Sequence, residues 1–298
     1  DNLWWRSNNI CMSSCYNAGR GYDDGIECCS TDAKLHNGDN ESMQEGEEAI
    51  KIASAYNDTI HILIIACDPR SKKDVAAKSS RYQDVDGLLR TIQRYGMVNI
   101  QDEIIVHIFT DNPKILMEDF LQTQSTSRLI SSLDIRVHAI PEPQSPEEDF
   151  HKFRTCASAR LYAPYLFTTA YGENDLPEQI LYLDTDILVT APLRGLWDIG
   201  KVHFHDNPQA LFGFSQEGIG MIQKDQVPYN GEAIYLAGTV RGFNTGMLLA
   251  HLHRWRDQNF SEMVIEQEMH SAENNYEMLF GDQGILNAMA ARFPERHF

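Results

Sequence analysis

The sequence feature that most constrains the fold is a nearly continuous apolar run of eight residues, 60–67 (Ile-His-Ile-Leu-Ile-Ile-Ala-Cys). A run without polar alternation is typical of a strand buried on both faces of a mostly parallel sheet. It is too short for a membrane-spanning helix, which needs about 20 residues. We therefore expect a sheet covered by helices on both sides, beginning near residue 58.

Strand-like and helix-like segments alternate along the rest of the chain. The predicted strands are 60–67, 104–109, 135–140, 179–183, 209–214 and 245–250, and the predicted helices are 86–95, 114–124, 156–169, 260–270 and 283–291. Such alternation indicates an α/β doubly wound sheet. Pro164 is expected to kink its helix. We expect one domain over 58–298, with the polar, acidic residues 1–57 as a stem or accessory segment.

The charge balance excludes some partners. The chain carries 43 acidic and 25 basic residues, for a formal charge of −18. Because nucleic-acid backbones are bound by clustered Lys and Arg, nucleic acid is not expected as a partner. No segment is apolar over the length that a bilayer requires, so a membrane anchor is not expected within this chain.

The cysteines point to an oxidising compartment. Four of the six lie within the first thirty residues, namely Cys11, Cys15, Cys28 and Cys29. This crowding favours two disulfides. A zinc site is the alternative, but Cys28 and Cys29 are adjacent and no Cys-x-x-Cys pair occurs. Asn-x-Ser/Thr acceptors at Asn40, Asn57 and Asn259 also fit a secretory route.

Two carboxylates, Asp184 and Asp186, follow the predicted strand 179–183. Ligands of open α/β sheets bind beyond the carboxyl ends of strands. Alternation along an extended segment would place both carboxylates on one side. Hard divalent ions such as Mn²⁺ or Mg²⁺ prefer oxygen ligands and share them with substrate phosphates. The pair therefore predicts a metal site for a diphosphate.

Haloacid-dehalogenase-like phosphatases use a similar local pattern, a strand followed by Asp-x-Asp-x-Thr. Here the fifth position is Leu188, and the pattern lies about 180 residues into the chain. No later Asp-Asp pair or Lys stands in the expected context. This alternative is disfavoured.

Three further segments lie in a defined order around Asp184. They are 156–162, with Arg160 on a predicted helix; 241–249, with an Asn-x-Gly turn at Asn244; and 281–287, with Asp282-Gln283 opening a helix. Together with the Asp-x-Asp segment they resemble family 8 glycosyltransferases, retaining enzymes with a GT-A fold, over residues 59–298. The resemblance implies a Rossmann-like, mostly parallel sheet flanked by helices.

Within that family the chain is similar to the glucoside xylosyltransferases. The likeness lies in Phe153–Leu161, Leu181–Leu188, Leu193–Trp197 and the Ala66-Cys67 ending of the first strand, while Arg241–Gly246 is similar to the xylosyltransferase domain of the LARGE proteins. The implied donor is UDP-xylose, and the implied acceptor is a glycan such as O-linked glucose on EGF-like repeats of glycoproteins. Another UDP-sugar or acceptor, a sugar-nucleotide-binding protein without turnover, and an interaction module based on residues 1–57 remain alternatives.

The resemblance also implies roles for the matched residues at the diphosphate. Asp184 and Asp186 would bind Mn²⁺, or else Mg²⁺, with Thr185 between them at the donor. Arg160 would offset negative charge near the donor through its fixed fork of donors. Its alternative is a salt bridge on a helix face.

At the donor sugar, Asn244, Asp282 and Gln283 are the implied catalytic residues. An amide such as that of Asn244 can both donate to and accept from hydroxyl groups. Its alternative is a simple turn residue, and Asp282 could also serve as a helix cap. For retention we expect attack on the face from which UDP departs rather than a covalent intermediate on Asp282.

The backbone of Ala66, Cys67 and Asp68 is expected to line the uridine pocket, where Cys67 could otherwise be an ordinary buried thiol. The family's third metal ligand is a His well after the Asp-Gln helix, and His297 lies too close to that helix to be assigned this role. The domain is therefore expected to be truncated at its C-terminus. The resemblance implies a Golgi or endoplasmic reticulum lumen location, with the full-length protein a type II membrane protein.

The remaining histidines are interpreted as structural. His107 and His138 lie in predicted strands and are expected in the core or at an edge. A second set is interpreted as surface groups, with His203 and His205 in a loop and His251 and His253 flanking a strand end.

Overall fold

A computed structural model of the chain describes residues 59–67, 83–97, 103–117, 133–141, 158–216, 243–259, 282–293 and 296. Several predicted features lie outside these ranges, namely the four N-terminal cysteines, Asn40, Asn57, Asp68, Cys156, the helix at 260–270 and His297.

The described residues form one six-stranded sheet with the strand order β3-β2-β1-β4-β6-β5. Its strands are β1 (Ile60–Ile65), β2 (Ile104–Thr110), β3 (Asp134–Ala139), β4 (Gln179–Leu183), β5 (Phe212–Gln216) and β6 (Phe243–His251). The neighbouring pairs among β1 to β4 are parallel, whereas β6 runs antiparallel to both β4 and β5. The predicted α/β class with a mostly parallel sheet is confirmed.

Helices cover both faces of this sheet. They are α1 (Gln83–Thr91) with a following π-helical turn (Ile92–Gly96), α2 (Ala163–Tyr171) after a 3-10 turn (Arg160–Tyr162), α3 (Leu193–Asp206), α4 (Leu252–Asp257) and α5 (Asp282–Arg292), besides a short helical turn at Pro113–Ile115. One core packs α1 and α3 against the sheet, and the other packs α2, α4 and α5.

β1 shows why its sequence lacks polar alternation. Ile60, Ile62 and Ile64 belong to the core under α1 and α3, whereas Leu63 and Ile65 belong to the opposite core. Both faces of the strand are therefore covered, as the apolar run predicts. Full burial of one such side chain contributes about 1.5–3 kcal/mol.

Two element predictions need correction. Pro164 lies in the first turn of α2, where its missing N–H has no helical partner to lose, so it begins a helix rather than kinking one. His203 and His205 lie in the last turn of α3, not in a loop. Because α3 continues to Asp206 and a turn follows, β5 begins later than predicted, at Phe212.

The histidines of the first three strands join through Tyr171. His61 Nδ1 lies 3.0 Å from His107 Nε2, His107 Nδ1 lies 2.7 Å from the Tyr171 hydroxyl, and His138 Nε2 lies 2.7 Å from the same hydroxyl. If His61 donates to His107, His107 donates to Tyr171 and Tyr171 donates to His138, each of these hydrogen bonds is made with all three imidazoles neutral. His107 is buried and His138 half-buried, so both predicted placements are confirmed. His251, in contrast, is buried at the end of β6, so its surface interpretation is wrong.

Candidate active site

The site lies where the direction of chain progression across the sheet changes. β2 and β3 extend from one side of β1, and β4 pairs with its other side. In open α/β sheets the crevice at such a switch point, beyond the carboxyl ends of the strands, is the usual place for a ligand. Here Ala66 and Cys67 follow β1, and Asp184 follows the adjacent strand β4.

At the end of β1 the structure brings Ala66 and Cys67 to the predicted edge of the sheet. Ala66 is buried and its N–H donates to the carbonyl oxygen of Phe109 at 2.9 Å. Cys67 is half-buried and disulfide-bonded. The interpretation of Cys67 as an ordinary thiol is therefore wrong, and every other cysteine lies outside the described residues.

Asp184, Thr185 and Asp186 form a turn rather than an extended segment. The N–H of Ile187 donates to the carbonyl oxygen of Asp184 at 3.2 Å, and the N–H of Asp184 donates to Gly246 at 2.8 Å. Strand alternation therefore does not place the two carboxylates. Asp184 is half-buried, with 39% of its side chain exposed, and Asp186 is exposed.

Arg160 is the buried centre of the site. From the 3-10 turn before α2, its Nε donates to Asp282 Oδ2, and its Nη1 lies 3.4 Å from Asp184 Oδ1 and donates to the Thr245 carbonyl oxygen at 2.7 Å. Only 6% of the Arg160 side chain is exposed. A salt bridge, the alternative considered for Arg160, is present, but it joins three motifs instead of lying on an exposed helix face. Its guanidinium also lies 5.1 Å from the Tyr182 ring centre.

β6 is irregular beside β5, in the part that carries the carbonyl groups of Thr245 and Gly246. Phe214 of β5 pairs with Leu248, but the next residue, Ser215, pairs with Asn244. Three residues of β6, 245–247, are therefore extra on that side. Beside this bulge the Thr245 carbonyl oxygen accepts from Arg160 Nη1, and the Gly246 carbonyl oxygen accepts from the N–H of Asp184, which continues the pairing of β6 with β4. Such bulges are common beside active sites. The predicted Asn-x-Gly turn is this bulged part of the strand.

Asn244 and Gly246 are closely fitted within the bulge. Asn244 Oδ1 accepts a hydrogen bond from the N–H of Gly246 at 2.8 Å, which leaves its Nδ2 hydrogens to other partners. A Cβ atom on Gly246 would lie 2.9 Å from Asp184 Oδ2 and 3.0 Å from Asn244 Oδ1. A side chain at this position would therefore have to displace one of these two groups.

α5 begins at the site with Asp282 and Gln283. The Asp282 carboxylate is buried against Arg160, and Gln283 Oε1 lies 3.5 Å from Thr245 Oγ1. One turn later, Asn287 hydrogen-bonds the backbone of Phe243 and of Gln283. The structure thus brings Arg160, Asp184, Asn244, Asp282 and Gln283 together around β6.

The electrostatics of the site favour a bound cation. Burial raises the pKa of Asp184. Arg160 and a hydrogen bond from Tyr182 oppose that rise, whereas the charges of Asp186 and Asp282 add to it. Burial also raises the pKa of Tyr182 well above its usual value, so the hydroxyl remains a donor to Asp184. Two carboxylates, Asp184 and Asp282, contact the one guanidinium, and Asp186 adds a third negative charge beside Asp184, which leaves negative charge in excess.

The donor chemistry fits a hard divalent ion. Asp184 Oδ2 and the exposed Asp186 carboxylate are oxygen ligands of the kind that Mn²⁺ and Mg²⁺ prefer. Among the residues that the structure describes, no three His, Cys, Asp or Glu side chains come together as a metal group. The remaining ligands would therefore come from the donor diphosphate, from water or from outside these ranges.

Sequence reasoning missed four contributors to the site: Tyr182, Thr245, Gly246 and Asn287. Tyr182 lies two residues before Asp184, and Asn287 lies four residues after Gln283. Both spacings place side chains on a shared face of a strand or helix, which is the signal that could have found them. The Thr245 carbonyl depends on the bulge, for which the sequence has no comparable signal.

Comparison with known proteins identifies the class to which this fold and site belong. The profile of Glycosyl transferase family 8 matches residues 103–292. The chain belongs to glycosyl transferase family 8.

The similarity to individual proteins is low in sequence identity or covers only part of their length. The chain is 25% identical to glucoside xylosyltransferase 2 of Xenopus laevis over 253 residues, 79% of this chain and 51% of that protein. It is 35% identical over 128 residues to glycosyltransferase GlyF of Streptococcus pneumoniae serotype 4 (strain ATCC BAA-334 / TIGR4), covering 42% of this chain and 25% of that protein. The chain spans about half the length of the xylosyltransferases it matches.

Among solved structures, mouse xyloside xylosyltransferase 1 in its apo form superposes with a TM-score of 0.58 at 15% identity, covering 81% of this chain and 84% of that one. At this identity the match shows a shared fold. It agrees with the predicted GT-A architecture.

Proposed function

We propose that this chain is a retaining glycosyltransferase that moves xylose from UDP-xylose to a glycan hydroxyl, such as that of O-linked glucose on EGF-like repeats. The observation that carries the proposal is the Arg160 cluster, in which one buried guanidinium joins Asp184, Asp282 and the bulge at Thr245. The xylosyltransferase names of the relatives support the choice of sugar.

At the diphosphate, Asp184 and Asp186 would hold Mn²⁺, or Mg²⁺. The ion, when bound, supplies charge stabilisation to the departing diphosphate. Tyr182 and Arg160 both contact Asp184 Oδ1, which fixes the carboxylate and leaves Oδ2 to a ligand. Ala66, Cys67 and Asp68 would line the uridine pocket, with Thr185 at the donor.

At the sugar, Asn244, Asp282 and Gln283 would hold the donor. Asp282 Oδ2 is engaged by the Arg160 Nε donor, so this carboxylate is not placed as a free nucleophile. That arrangement supports attack from the same face: the C1–O bond of the donor breaks, UDP leaves with the electron pair, and the acceptor oxygen bonds to C1. The acceptor proton passes to the departing diphosphate.

A secretory location is part of the proposal. The disulfide at Cys67 supports an oxidising compartment, the Golgi or endoplasmic reticulum lumen. Asn259, an acceptor in Asn-x-Ser, is exposed after α4. Within the described ranges no helix has both the length and the apolarity to cross a bilayer.

Incubation with UDP-xylose, Mn²⁺ and a glucosylated EGF-like peptide tests the transfer. We expect a mass gain of one pentose on the peptide, lost in Asp184→Asn. Transfer from a different UDP-sugar alone would replace xylose, and UDP binding without transfer or hydrolysis would leave a binding protein. Gln179→Met, which alters a buried amide remote from the site, is the control for handling and folding.

A further inference from the structure

Asn287, one helical turn after Gln283 in α5, uses its entire side-chain amide on backbone groups. Its Oδ1 accepts from the Phe243 N–H at 2.6 Å, and its Nδ2 donates to the carbonyl oxygens of Phe243 and Gln283, both at 2.9 Å. Asn287 is 6% exposed. The side chain therefore pairs with Phe243 much as a neighbouring strand would, through one donor and one acceptor.

These bonds join the two segments on which the donor-sugar residues lie. Phe243 begins β6 and immediately precedes Asn244, and Gln283 immediately follows Asp282 at the start of α5. Asn244, Asp282 and Gln283, the proposed sugar contacts, are therefore each at or next to a residue whose backbone is hydrogen-bonded to Asn287. Another direct link between the segments is longer, the 3.5 Å contact of Thr245 with Gln283.

We propose that Asn287 is a positioning residue that sets the spacing between Asn244 and the Asp282-Gln283 pair, and with it the placement of the donor sugar. The role rests on the proposed function of this site. Asn287 does not touch the diphosphate residues in the described contacts, so it should govern the sugar half of the donor and leave the nucleotide half unaffected.

The chemistry of the amide explains why this position needs Asn. Asp has the same shape but no donor, and its carboxylate would face the carbonyl oxygens of Phe243 and Gln283. Leu has the same size and would leave the Phe243 N–H and C=O without these partners. In either case β6 and α5 would lose their fixed spacing, and a displacement near 1 Å reduces a transfer rate by about 100-fold.

The test compares Asn287→Asp and Asn287→Leu with Gln179→Leu. Gln179 is a matched control because it is also a buried amide that donates to a backbone carbonyl, that of Trp197 at 3.1 Å. It lies at the opposite end of β4 from Asp184. All variants are corrected for their folded fraction by urea unfolding, and Asn287→Ser serves as the variant if the larger changes do not fold.

The measurements are the Kd of UDP with Mn²⁺, the Kd of the UDP-sugar, and kcat. For the Asn287 variants we expect kcat per folded molecule to fall at least about tenfold, and the preference for UDP-sugar over UDP to be lost, with the Kd of UDP changed by less than about twofold. Gln179→Leu should lower the free energy of unfolding but leave kcat per folded molecule and both Kd values unchanged.

Unchanged kcat and unchanged sugar preference in folded Asn287 variants would overturn the positioning role while the proposed function stood. Equal losses in UDP affinity and kcat would also overturn it, because they indicate a general collapse of the site. If the unaltered chain binds neither UDP nor UDP-sugar, the proposed function fails, and this role fails with it.

Discussion

Arg160 holds two carboxylates that belong to segments far apart in the chain. Its Nε contacts Asp282, 122 positions away, and its Nη1 contacts Asp184, 24 positions away. Since the side chains of Arg160 and Asp282 are 6% and 8% exposed, neither charge has ready access to water. Removing either member leaves the other buried without this partner, which is more costly than the net stabilisation of the intact pair.

A double-mutant cycle on this pair measures that asymmetry. We expect Arg160→Met and Asp282→Leu each to lower the free energy of unfolding by about 3–5 kcal/mol. The double variant should lose clearly less than the sum, since no lone charge remains from this pair. Urea unfolding of the four proteins gives the coupling. Additive losses would show that the two side chains act independently.

Gly246 offers a test of the site geometry with little effect on the fold. In Gly246→Ala the new methyl would lie 2.9 Å from Asp184 Oδ2 and 3.0 Å from Asn244 Oδ1, so one of these groups must move. We expect the Mn²⁺-dependent affinity for UDP to fall about tenfold or more, as judged by calorimetry. Gly195→Ala in α3 is the control, because its Cβ would meet nothing within 4 Å. Unaltered UDP binding in Gly246→Ala would place the ligand elsewhere.

At the scale of elements, α3 depends on a remote arginine at its C-terminal end. Arg254 of α4 donates to the carbonyl oxygens of Phe204, Asn207 and Ala210, at 2.9–3.1 Å. Cations satisfy the unpaired carbonyls of a helix end and interact favourably with its dipole.

Replacing Arg254 by Met removes these bonds and keeps much of the side-chain volume. We expect a loss of about 2 kcal/mol in the free energy of unfolding, with the Kd of UDP unchanged. Arg256→Met serves as the matched control, since that side chain pairs with Asp257 at the surface and should cost under about 1 kcal/mol. Equal losses in the two variants would mean that the end of α3 does not need Arg254.

The sequence predicts strands better than it predicts how they terminate. The apolar residues of β1, β2 and β4 specify burial on both faces, and the bounds predicted for β4 are those observed. The start of β5 was misplaced, since α3 continues through His203 and His205. Local polarity suggests a loop there, whereas the tertiary bonds of Arg254 favour a helix.

Within the site, too, the sequence predicts some features and not others. Motif order correctly brings Arg160, Asp184, Asn244 and Asp282 into one place. The β6 bulge and the Asn287 bonds depend on backbone carbonyls whose direction follows from register with β5 and from the packing of α5. Side-chain identity carries little information about either. Strand alternation failed between Asp184 and Asp186 because the chain turns after Asp184.

At the scale of the whole molecule, acid should destabilise the fold through its buried histidines. Burial, together with the neighbouring His61, His138 and Arg136 side chains, lowers the pKa of His107 to about 2. An unfolded chain takes up this proton below about pH 6.5, whereas the folded chain does not. The contribution of His107 to the free energy of unfolding is therefore fully present above pH 6.5. It falls as the pH decreases, by about 1.4 kcal/mol per pH unit.

His107→Phe should flatten the dependence of the unfolding free energy on pH between 6.5 and 4. Some slope should remain, since burial lowers the pKa of His251 to about 4. His205→Gln is the control variant, because that side chain is 88% exposed. An unchanged slope in His107→Phe would mean that His107 is protonated in the fold.

The metal-dependent nucleotide site at the end of β4 is the central claim, and calorimetric titration of the chain with UDP tests it most directly. We expect UDP to bind in the presence of Mn²⁺, chelation to abolish this binding, and Asp184→Asn to weaken it at least about tenfold. UDP affinity that is the same with and without Mn²⁺, or the same in Asp184→Asn, would contradict the account.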